Sequence, residues 1–168
     1  MENTEQEKAT MAQQYDKLAS KFKERYLAGK ERGREAMAVA LEKSHEQMAA
    51  LGEFSAEHGA ELKKYMARDM DQTMADAQNL GEEAKERLNP GRLGAGALAS
   101  LAAVLESTGN ALQSLSEKTR EKLTYKTGEI TSAGTLTCQA CGEAMRLKET
   151  GYIPPCPKCS ATLFNKGY

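Results

Sequence analysis

The stretch GTLTCQACGEAMRLKETGYIPPCPKCSATLF, Gly134–Phe164, decides how the rest of this chain is read. It holds two C-x-x-C pairs, Cys138-Gln-Ala-Cys141 and Cys156-Pro-Lys-Cys159, separated by 14 residues. Each pair can close a tight knuckle that aims two thiolates at one point. Two knuckles supply four sulfurs, the tetrahedral set that Zn2+ takes at about 2.3 Å per bond. Gly142 follows the first knuckle, where a left-handed residue is often needed, and Ser160 holds that place in the second. Pro154-Pro155 stiffens the approach to Cys156, and Pro157 sits inside the knuckle. Short strands are expected at Thr135–Thr137, Ala144–Lys148 and Thr162–Phe164. The reading is a small β zinc ribbon in which Cys138, Cys141, Cys156 and Cys159 hold one structural Zn2+.

The competing readings are disulfides and a rubredoxin-like iron site. Disulfides fit poorly with a cytoplasmic chain. The iron site shares the ligands, but no signal for a second electron-transfer cofactor surrounds it. The apolar residues of this segment are few: Leu136, Met145, Leu147, Tyr152, Ile153, Leu163 and Phe164. They bury too little surface to fold it unaided. Metal binding supplies the missing folding free energy, about 10 kcal/mol or more in small zinc modules. Four sulfurs leave no coordination position for water, so none is activated. No G-x-S-x-G, P-loop or paired-carboxylate motif occurs elsewhere, and a non-enzymatic protein is expected.

Outside this segment the composition is helical. The 168 residues include 25 Ala and 17 Leu but only two Val and two Ile. A large β core is excluded. From Met11, apolar or small residues recur through Tyr15, Leu18, Phe22, Tyr26, Gly29, Gly33, Met37, Ala40, Ser44, Met48 and Leu51. The spacing repeats every eleven residues and suits one straight helical stripe. Gly52 and Gly59 bracket an interruption, with Ser55 as an N-cap. A second stripe runs Leu62, Met66, Met70, Met74, Ala77, then Leu80 or Leu88. The methionines read as adaptable core. Asn89-Pro90-Gly91 reads as a stop and turn. A third stripe runs Leu98, Leu101, Leu105, Thr108, Leu112, Leu115, Thr119, Leu123. The expected architecture is mostly α: a long helical hairpin or three-helix coiled-coil-like bundle, followed by the ribbon. The helical rod covers residues 1–127, with helices at about 4–51, 55–88 and 96–125, and the ribbon covers 128–168.

Charge and hydropathy bound the partners. The net charge is −1, which argues against an obligatory nucleic-acid coat protein. Lys21–Arg34, with Lys21, Lys23, Arg25, Lys30, Arg32 and Arg34 against two Glu, is a basic stretch of net +4, and Glu53–Leu88 carries net −4. These segments read as two solvated faces, since surface pairs contribute little each, and their complementarity within a chain or across a dimer is an orientation hint. Phe22 and Tyr26 interleave the basic stretch but belong to the apolar stripe, which weakens a phosphate-binding reading. The histidines, His45 and His58, have no metal-ligand pattern around them and read as surface residues. The longest apolar run, Leu93–Leu105, is too short for a membrane span. The polar opening MENTEQEKAT does not read as a secretory leader, so a cytoplasmic location is expected. The expected partners are a second copy, through the N-terminal helices, and an unidentified protein. The expected role is an adaptor or scaffold that displays the ribbon around Tyr152, Ile153 and Phe164. The alternative is a regulator that binds nucleic acid or a ribosome or RNA polymerase surface.

One resemblance accompanies these readings. Thr127-Gly128-Glu129, Gly134-Thr-Leu-Thr-Cys138-x-x-Cys141-Gly142, Gly151-Tyr-Ile-Pro-Pro-Cys156-Pro-Lys-Cys159 and Phe164 together resemble the YbeL-like family of bacterial zinc-ribbon-containing proteins. The resemblance implies long N-terminal helices, a C-terminal ribbon and the same four zinc ligands. It implies no catalytic residues.

Overall fold

A computed structural model describes residues 2–80, 82–108 and 123–167. Among the described residues, four helices form the body: α1 (Glu2–Ala28), α2 (Arg34–Ala50), α3 (Ala56–Leu80) and α6 (Ala97–Thr108). Two short ones, α4 (Glu82–Arg87) and α5 (Pro90–Leu93), lie between α3 and α6. Six strands follow: β1 (Tyr125–Lys126), β2 (Ile130–Thr131), β3 (Gly134–Cys138), β4 (Ala144–Leu147), β5 (Gly151–Tyr152) and β6 (Leu163–Gly167). They form an antiparallel four-stranded sheet in the order β1-β6-β3-β4 and a separate β2-β5 pair. A helical body followed by a small β ribbon is the architecture the sequence pointed to.

The first expected helix, 4–51, is two helices. The chain turns at Gly29–Gly33, and α2 folds back along α1. Tyr26 organises the corner. Its hydroxyl accepts from Gly33 N at 3.1 Å and meets Thr108 Oγ1 at 2.7 Å. Arg32 lies over the Tyr26 ring and donates to the carbonyls of Gly29 and Glu31, both at 2.8 Å. Gly33 adopts φ +106°, a conformation open to glycine but strained for other residues. The sequence reading counted Gly29 and Gly33 as small positions of one stripe. They are where the stripe breaks, because glycine weakens a helix and permits a turn.

The stripes themselves are core. Tyr15, Leu18, Phe22 and Tyr26 of α1 are buried, chiefly against α6 and α2. Met37, Ala40, Leu41, Ser44 and Met48 of α2 are buried as well. Residues 51–55 are a connection, not helix, and Gly52 ends α2 in the left-handed region at φ +71°. Ser55 caps α3 by accepting from His58 N at 3.3 Å. Leu62, Met66, Met70 and Met74 are buried along α3. The helix-packing order departs from the expected hairpin, since α6 lies mainly on α1 and only secondarily on α3. Its N-terminus is held by Asp16 of α1, whose Oδ1 accepts from Ala97 N at 2.8 Å and from Thr150 Oγ1 at 2.5 Å. The expected positions Leu112, Leu115 and Thr119 fall outside the described residues. Beyond them the expected helix to 125 does not hold, because Tyr125 is already strand and pairs with Phe164 of β6. The ribbon sheet therefore begins before residue 128.

The basic stretch reaches the acidic one at Arg34. Arg34 pairs with Asp71 at 2.7 Å. Lys63 of the acidic stretch pairs with Glu42 of α2 at 2.8 Å. Arg25 donates to Gln47 Oε1 at 2.7 Å. His45, expected on the surface, is largely buried and stacks on Phe54 with ring centroids 5.5 Å apart. His58 is exposed.

The helical body and the ribbon have separate cores that meet at Ile130 and Tyr152. Ile130 and Tyr152 belong to the helical cluster, while Tyr125, Leu136, Ile153 and Phe164 form the ribbon's own. At the junction lies Asp69 of α3, fully buried. Its carboxylate accepts from Tyr15 OH (2.7 Å), Thr131 Oγ1 (2.9 Å) and Ser132 N (2.7 Å). Lys166 Nζ of β6 stands 3.6 Å away and donates to Thr131 Oγ1, Ser132 O and Ser132 Oγ at 2.7–2.8 Å. Burial alone would raise the Asp69 pKa, but Lys166, Arg68, the Ser132 amide and the Tyr15 hydroxyl hold it below the ordinary carboxylate value. Burial pulls the Lys166 ammonium down to about 8 against the opposing pull of Asp69. Both groups are charged at neutral pH. Arg68 reinforces the joint: it pairs with Glu129, donates to Ile130 O at 3.1 Å and lies 3.9 Å over the Tyr125 ring.

Removing one member of such a buried pair strands the other. Asp69→Ala should destabilise the zinc-loaded protein by about 3–5 kcal/mol. Tyr15→Phe removes one donor and should cost about 1.5–3 kcal/mol. Urea unfolding followed by far-UV circular dichroism measures both, and Asp69→Ala should be the larger loss.

Candidate metal centre

β3 delivers Cys138 at its end, and the turn after it delivers Cys141. The segment after β5 delivers Cys156 and Cys159. The two knuckles have the same backbone bonding. Cys138 N donates to Glu143 O at 2.8 Å, and Cys156 N donates to Ala161 O at 2.9 Å. Gly142 N donates to Cys138 O at 3.0 Å, and Ser160 N donates to Cys156 O at 2.9 Å. Gly142 has φ +73° and Ser160 has φ +59°, so both occupy the left-handed region. Ser160 thus takes the geometry glycine has in the first knuckle, and it is the one non-glycine residue with positive φ among the described residues.

The four Sγ atoms lie within 4.8 Å of one another. Cys138 to Cys159 and Cys141 to Cys156 are each 3.6 Å. A disulfide would bring two sulfurs to about 2.0 Å. Tetrahedral sulfurs on one Zn2+ stand about 3.8 Å apart, given bonds of about 2.3 Å. The sulfur set therefore fits one Zn2+ with four cysteine ligands.

The surrounding charges favour the same conclusion. Burial disfavours the Cys156 thiolate, but the amides of Cys159 and Lys158 point at its sulfur and bring it to about 7. The Ala161 amide favours the Cys159 thiolate, yet the thiols of Cys141, Cys138 and Cys156 and burial push it up to about 12. Like charges at this spacing oppose one another, and a divalent cation is what lets all four ionise together. The chain's contribution is the aimed amides and the rigid knuckles; the metal supplies the cross-link between them.

All four predicted ligands converge. Other expectations for the ribbon do not hold. Phe164 and Ile153 are buried, and Tyr152 is half-buried and packs against the helical core. They cannot form the displayed surface, because Ile153 and Phe164 fill the ribbon's own core and Tyr152 faces the helices. What the ribbon exposes includes the knuckle tips, Gln139, Ala140, Pro157 and Lys158, and Leu163 at the start of β6. The sequence reading also missed Asp69 and Lys166. A signal existed for each: Asp69 stands in the buried run of α3, and Lys166 stands two residues from Phe164 on the inward face of β6.

Two measurements check the centre. The protein should carry one zinc per chain with a four-sulfur shell by X-ray absorption, and Cys156→Ser should lose most of it. Ser160→Gly should stabilise the zinc-loaded ribbon by up to about 1 kcal/mol, since relief of left-handed strain outweighs the added flexibility of glycine. Thermal unfolding of both proteins reads that difference.

Comparison with curated proteins and with solved structures gives no match. The family model described as a zinc-ribbon containing domain matches residues 24–167, so the match runs through α2, α3 and α6 as well as the ribbon. The chain belongs to the zinc-ribbon containing domain family.

Proposed function

We propose that the protein is a non-enzymatic adaptor in which a structural zinc site holds the knuckle tips as a contact surface for another protein. The YbeL-like resemblance is the finer placement within its family that goes with this reading, and the cytoplasm is its proposed location. The observation that carries it is the division of the ribbon's two sides. One side is buried on the helices, and the other leaves Gln139 and Lys158 exposed on rigid knuckles and Leu163 exposed at the start of β6. Four sulfurs close the metal to water, which supports a structural role over a hydrolytic one. Among the described residues, no second group of three or more His, Cys, Asp or Glu side chains is placed to hold a metal. None of the described helices is long and apolar enough to cross a membrane.

Self-association, expected through the N-terminal stripe, would need another surface, because that stripe is buried inside the chain. Crosslinking mass spectrometry in cells tests the adaptor reading. Crosslinks from Lys158 and its neighbours to one protein should recur, and Leu163→Asp with Gln139→Glu should remove them while zinc content stays whole. Crosslinks that survive those changes would place the contact elsewhere. Salt-sensitive binding to nucleic acid by the purified protein would favour the regulator reading instead.

A further inference from the structure

The ribbon and the helical body meet at a charged site that neither completes alone. From the helices come Asp69 and Tyr15; from the ribbon come Thr131, Ser132 and Lys166. The ribbon's three groups sit on segments tied to the ligands. Lys166 lies on β6, and β6 runs in register with β3, so that Cys138 pairs with Phe164 and Leu136 with Lys166. Thr131 lies on β2, which pairs with β5. The adjoining Glu129 carbonyl accepts from Ile153 N at 2.9 Å, three residues before Cys156. A ribbon of this size depends on its metal to fold. Thr131, Ser132 and Lys166 are therefore in place only when the two knuckles are.

We propose that zinc occupancy and the order of the α1–α3 interface are coupled through Asp69, so that loss of the metal withdraws Lys166, Thr131 and Ser132 and opens the helices around Tyr15 and Met66–Met74. The inference rests on the structural-zinc reading. Its physical cause is the cost of leaving a carboxylate buried with one hydrogen-bond donor, Tyr15 OH, and only the Arg68 guanidinium, 3.8 Å away, as counter-charge. The zinc state of the ribbon is then reported on the helical body, the part of the molecule that holds no ligand. Linkage makes the coupling reciprocal. Asp69, which touches no sulfur, helps set zinc affinity.

Hydrogen exchange on the full-length protein, zinc-loaded and after complete zinc removal by a chelator, tests this. Zinc removal should lower protection at least tenfold both in the ribbon and at residues 66–74 of α3. The charge-free pair Asp69→Asn with Lys166→Met keeps the hydroxyl and amide bonds but has no carboxylate to strand. In that variant the ribbon should still open while α3 changes less than threefold. Asp69→Asn alone should weaken zinc binding about tenfold in competition with a chromogenic chelator, a coupling of ordinary size. Wild-type α3 that keeps its protection while the ribbon opens would overturn the coupling and leave the structural-zinc reading intact. A ribbon that keeps its protection without zinc would overturn both.

Discussion

A carboxylate with no access to water needs donors and a counter-charge, and Asp69 draws them from three separate parts of the chain. That requirement fixes how the ribbon sits on the helices. Tyr15 brings α1, Thr131 and Ser132 bring the end of β2, and Lys166 brings β6. An apolar contact tolerates small slips, because the hydrophobic effect is non-directional. Hydrogen bonds of 2.7–2.9 Å to one carboxylate do not. Buried pairs add little net stability over apolar packing, so their effect here is to specify one docking geometry.

The zinc centre solves a different shortage. The ribbon's own core is Tyr125, Leu136, Ile153 and Phe164 with two of its cysteines. A metal cross-link between two matched knuckles replaces the apolar area that this module lacks. The helices meet their own shortage of large aliphatic side chains with tyrosine, methionine and alanine. Tyr15 and Tyr26 show the consequence: each buries a ring and spends its hydroxyl on a distant element, Asp69 in one case and Thr108 in the other.

The legibility of each element followed the range of the interaction that forms it. The knuckles were legible because two cysteines three apart define their own geometry, and the methionine face of α3 because its period is local. The corner at Gly29–Gly33 was not. Its residues fit an eleven-residue repeat, and the turn is organised by Tyr26, Arg32 and a threonine on α6. The ribbon surface was misjudged for a similar reason. Tyr152, Ile153 and Phe164 read as available apolar residues until the ribbon's own core and the helices beside Tyr152 are known.

By itself, the sequence determined the metal, its four ligands and the helical character of what precedes them, because each rests on spacing within a few turns of chain. Only the tertiary structure decided which stripe lies on which, where the first helix breaks, and that Asp69 and Lys166 form one buried site. Periodicity can place Asp69 and Lys166 on inward faces, but it names no partner for either charge. Their meaning arises from Coulomb attraction and hydrogen bonding once folding has removed the water between them.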